Sequence, residues 1–73
     1  MSEAFENRVN EKTLVGEIVM KHPEAIDVLM SIGMHCLGGP ASQMESLEDA
    51  CMVHGYEPAS VVEAINERIA AAE

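Results

Sequence analysis

Residues 22–33, HPEAIDVLMSIG, decide the fold. Pro23 suits the first position of a helix, where a missing N–H leaves nothing unsatisfied. Glu24 and Asp27 fall near the positive end of the helix dipole. Ala25, Val28, Leu29 and Ile32 recur at helical spacing and form one apolar stripe, broadened by Ile26 and Met30. Gly33 tolerates positive φ and closes the helix.

The same grammar repeats on both sides. Upstream, Thr13 precedes LVGEIVMK, in which Leu14, Val15, Ile18 and Val19 share one side. Thr13 is placed to cap that helix. Gly16 inside it costs about 1 kcal/mol against alanine, which a close helix–helix approach would explain. Downstream, PASQME can form one turn after Pro40. In SLEDACMVHG, Ser46 is an N-cap candidate with Asp49 at the third helical position. Leu47, Ala50, Cys51 and His54 lie on one face, and Gly55 terminates. In EPASVVEAINERIAAAE, Pro58 opens a last helix. Val61, Val62, Ile65 and Ile69 point inward, while Glu63, Asn66, Glu67 and Arg68 point out. No strand pattern is visible. The expected fold is all-α, a compact bundle of four or five short helices. Residues 13–73 form the single domain, and residues 1–12 a loose lead-in from which Phe5 and Val9 touch it.

The chain has 73 residues and a formal charge of −9, from 13 acids against 4 bases. That balance argues against nucleic acid and against anionic membrane surfaces, which need clustered Lys and Arg. It suits either solubility or an acidic docking face. Aromatic residues are scarce, so the core must be aliphatic, with six methionines as filler or as a groove for a partner helix. No apolar run is long enough to span a bilayer, and the first residues lack a signal-peptide pattern. The expected location is cytoplasmic, where cysteines are more often reduced, reactive or ligating than structural staples.

Between two helical patterns lies GMHCLGGPAS, residues 33–42. If a turn starts near Pro40, the Cys36 thiol faces backbone amides that favour the thiolate. Gly38 and Gly39 let amides approach a bound group, Met34 lies beside the turn, and His35 can tune the thiol. Equally, the stretch can be a plain turn holding a buried free cysteine. Cys51 falls on an apolar stripe and is either a core residue or a resolving thiol for Cys36, which needs Cα atoms within about 7 Å. His22, His35 and His54 could join the cysteines in a metal site, but neither C-x-x-C nor H-x-x-x-H spacing is present. His22 and His54 lie at helix ends, where imidazoles cap or meet the dipole.

From Thr13 to Asn66 the chain resembles the hybrid-cluster-protein-associated redox disulfide domain, on VGEIV, HPEAIDVL, GMHCLGGPAS, LEDAC and HG. More distantly it is similar to the N-terminal domain of iron-sulfur cluster repair proteins, with their Cys-Cys-Gly-Gly turn. The resemblance implies a helical domain with a redox or sulfur-related turn. Cys36 matches the first cysteine of the redox family's C-x-x-C, and Gly39 stands where the second belongs. Against the repair pattern, Leu37 replaces a cysteine. A lone thiolate can form a mixed disulfide or donate one metal ligand, but cannot cycle as an internal C-x-x-C.

The expected function is therefore a small redox or sulfur-handling accessory domain presenting Cys36. The alternatives are a binding module using the turn with Met34 and Met44, and a metal or cluster site built from Cys36, Cys51 and a histidine. The expected partner is a protein of the redox or iron-sulfur kind. No resident cofactor is expected beyond a shared metal or cluster, and no autonomous enzyme, since there is little room for a pocket of about 300 Å³ or more.

Overall fold

In the computed structural model, residues 8–34 and 43–73 are described. Helix α1 spans Val15–Lys21, a 3-10 turn spans Pro23–Ala25, and α2 spans Ile26–Ser31. Helix α3 spans Leu47–His54 and α4 spans Pro58–Ala72. This is an all-α bundle of four short helices, with no sheet among the described residues. Its radius of gyration, 11.2 Å, equals the roughly 11 Å expected of a folded chain this long. No described helix is long and apolar enough to cross a membrane.

The stripe of residues 22–33 lies where its pattern requires. Ala25, Val28, Leu29 and Ile32 are all buried, and Pro23 opens the 3-10 turn. α4 packs across α3, the 3-10 turn and α2 through buried Val61, Ile65 and Ile69. Val15 and Ile18 from α1 and Leu47, Ala50 and Cys51 from α3 complete the core.

Both glycine stops close in the same way. Gly33 has φ 101° and Gly55 has φ 79°. The Gly33 N–H donates to Met30 O and the Met34 N–H reaches back to Leu29 O. The Gly55 N–H donates to Met52 O and the Tyr56 N–H to Cys51 O. These paired bonds satisfy carbonyls that the helix end leaves open.

The helix starts depart from the sequence reading at two points: Pro23 opens a 3-10 turn, with the α-helix starting only at Ile26, and the expected Thr13 cap is absent. Thr13 does not cap α1, because its hydroxyl accepts the Asn10 N–H at 2.9 Å instead. The α1 and α3 entries serve each other. The Val15 N–H donates to Glu45 O and the Leu47 N–H to Thr13 O, both at 2.8 Å, in one antiparallel bridge between Leu14 and Ser46. The Glu48 N–H donates to Glu11 O, and the Asp49 N–H to Ser46 Oγ at 3.1 Å, so Ser46 is the expected cap. Every amide of the first α3 turn thus has a partner.

Asn66, expected to point out, is half-buried and fastens the incoming chain. Its Oδ1 accepts the Val9 N–H at 2.8 Å and its Nδ2 donates to Val9 O at 3.1 Å. Val9 itself is buried, and Arg8 pairs with Glu73 at the end of α4. Residues 8–9 therefore run along α4.

Candidate functional site

The expected site residues His35, Cys36, Gly38 and Gly39 lie outside the described residues, as does the helical turn expected from Pro40 to Ser42. What is described is the frame on either side. On the entry side, Met34 is only 5 % exposed. It belongs to the core rather than to a docking face, because the Gly33 stop turns the chain back onto α2 and ties the Met34 N–H to Leu29 O. On the exit side, Gln43 sits against Gly16. A Cβ built on Gly16 would stand 2.8 Å from Gln43 Cβ and 2.9 Å from its carbonyl oxygen. Gly16 is therefore at a close approach, and its partner is Gln43, the first described residue after the cysteine stretch. Met44 is 74 % exposed.

Cys51 is fully buried in the core cluster. Burial pushes its thiol pKa up, and the nearby carboxylates of Glu11 and Glu57 push the same way. Both effects disfavour the thiolate, which is the reactive form.

The two described histidines lie at the ends of different helices. His22 is buried at the end of α1, with Nδ1 3.4 Å from a Glu24 carboxylate oxygen. His54 ends α3 and is exposed, yet its ring lies over Gly33. A Cβ on Gly33 would meet His54 Nδ1 at 3.1 Å. Sequence reading placed His54 on the inner stripe of α3 but did not pair it with the entry to the cysteine turn. The inner-stripe position was the available signal. Among the described residues, no three of His, Cys, Asp and Glu gather as a metal-binding group.

Two surface hollows are larger than expected. One, of about 490 Å³, is lined by Asn10, Glu11, Lys12, Ala59 and Val62. The other, of about 400 Å³, is lined by Val28, Ala64, Glu67, Arg68 and Ala71. Both open to solvent, and among the described residues neither is lined by a cysteine or histidine.

Residues 9–62 match the family described as a domain of unknown function, DUF1858. The chain belongs to that family. The DUF1858 match takes in nearly all of the stretch on which the sequence resemblance was drawn, from the α1 entry through the cysteine turn to the start of α4. Comparison with curated proteins and with solved structures gives no match.

Proposed function

We propose that this DUF1858 domain is a redox or sulfur-handling accessory module whose reactive group is the Cys36 thiol. One observation carries the reading. The chain has two cysteines, and Cys51 is sealed in the core with its thiolate disfavoured. Thiol chemistry with the folded domain then falls to Cys36. The described residues that flank the stretch are anchored, Met34 by its N–H bond to Leu29 O and Gln43 against Gly16.

The chemistry open to a single thiolate is exchange. The Cys36 sulfur attacks one sulfur of a partner's disulfide, a mixed disulfide forms, and the partner's other sulfur leaves as a thiolate. A second thiol from the partner reverses the step. The two-electron oxidation state is conserved throughout, so no cofactor takes part.

The test is the alkylation rate of Cys36 against pH in the folded Cys51→Ala variant. The expected apparent pKa lies below the roughly 8.5 of a free cysteine. A value at or above that figure overturns the proposal. Mass mapping must place the label on Cys36.

A further inference from the structure

α3 turns an apolar patch to solvent that the core does not use. Met52 is 68 % exposed, Val53 72 % and Tyr56 46 %. The core face of this helix is Leu47, Ala50 and Cys51. At helical spacing the opposite face carries Glu48 and Asp49 in its first turn and Met52 and Val53 in its second. Asp49 neighbours both, three and four residues away. The Gly55 stop then brings Tyr56 back beside the last turn through its bond to Cys51 O, with Glu57 next. Elsewhere, exposed Met20 and Met30 stand singly on their helices, which is ordinary for a protein surface. The end of α3 instead gathers three large apolar side chains within five residues.

The charge around this patch states what would cover it. All four Lys and Arg side chains of the chain are engaged in ion pairs. Arg8 pairs with Glu73, Lys12 with Glu48, Lys21 with Glu17, and Arg68 with Asp27. Asp49 and Glu57 are exposed and belong to none of these pairs, although the Lys12 ammonium that pairs with Glu48 also feels the charge of Asp49. A second copy of a chain of charge −9 would bring the same sign to the same place. A complementary occupant carries aliphatic side chains on one face and Lys or Arg at its rim. We propose that the outward face of α3, Met52, Val53 and Tyr56 set between Asp49 and Glu57, docks a basic amphipathic segment of a partner protein. This docking does not depend on Cys36.

The experiment titrates the full chain with a synthetic amphipathic peptide bearing a leucine stripe and a lysine rim, followed by heteronuclear NMR. A control peptide keeps the lysines and replaces each leucine by serine. Expected are shift changes centred on Asp49, Met52, Val53 and Tyr56, and affinity at least roughly tenfold above the control. The double variant Met52→Ser, Val53→Ser should lose that advantage, while Met20→Ser on α1 keeps it. Asp49→Asn with Glu57→Gln should weaken binding at low salt and flatten its salt dependence. Equal affinity for both peptides, shifts centred on another face, or indifference to the Met52 and Val53 substitutions would overturn the proposal. So would self-association of the free chain that the same double variant abolishes, since the occupant would then be a second copy.

Discussion

Gly16→Ala tests the frame of the cysteine turn directly. Alanine raises helix propensity by up to about 1 kcal/mol, less in the first turn, where Gly16 sits. Against that stands the contact with Gln43. The added methyl would meet Gln43 Cβ at 2.8 Å, its carbonyl oxygen at 2.9 Å and its Cα at 3.2 Å. Two of those atoms are backbone, so a rotamer change alone does not relieve them. Overpacking of this kind costs about 1–3 kcal/mol. The net expectation is a loss of about 1–2 kcal/mol, or a melting temperature lowered by roughly 4–16 °C for a domain this small. Thermal unfolding followed by circular dichroism at fixed protein concentration measures it. Gln43→Gly removes the Cβ contact but keeps the carbonyl, so the double variant should recover part of the loss, read as a coupling energy from the cycle. A Gly16→Ala protein as stable as the parent or more so refutes the reasoning, because propensity would then have won and the close approach would be absent.

Other substitutions separate the remaining contributions. Gly55→Ala meets nothing within 4 Å but must hold φ near 79°, so it should cost only the conformational penalty of about 1 kcal/mol, read from urea unfolding. Ser46→Ala removes the acceptor for the Asp49 N–H and should cost about 1 kcal/mol in the same assay. Asn66→Ala breaks both bonds to Val9 and should make the Arg8–Lys12 stretch the first site of limited proteolysis while the helices stay protected. Stability should also fall at alkaline pH because of Cys51. Its folded pKa is raised, so its contribution is intact below the free-thiol value of about 8.5 and lost as pH rises through the folded pKa. The stability gap between the parent and Cys51→Ala should therefore narrow above that pH, and a constant gap would contradict the burial argument.

Most of the helical plan was legible because it is local. Pro23 and Pro58 as openers, Gly33 and Gly55 as stops, and the stripe from Ala25 to Ile32 are read within one or two turns of chain. What escaped is the choice of hydrogen-bond partner. Thr13 looks like a cap by sequence, but residues 10–13 form their own turn and the first α1 amide, that of Val15, is met by Glu45 from across the molecule. Asn66 looks like a solvent residue on a polar face until Val9 arrives beside it. Met34 looks like part of the open turn because sequence does not show that the bond from its N–H to Leu29 O folds it under α2. Each miss follows from a polar group choosing its partner, nearby for Thr13 and Met34 and far along the chain for Asn66, which apolar spacing does not encode.

The long-range bond from Val15 to Glu45 also bears on how so short a first helix forms. A helix of seven residues such as α1 is below the length at which isolated helices persist in water. It survives because Val15 and Ile18 are buried and because its first amide is met by Glu45. That bond lies two residues beyond Gln43, which itself presses on Gly16. α1 and residues 43–45, which follow the cysteine stretch, therefore brace each other. The entry is fixed separately, by the Gly33 stop beneath the His54 ring. A substitution that loosens α1 should therefore change Cys36 reactivity before it changes overall helicity. One that alters His54 should act on the opposite end of the same segment.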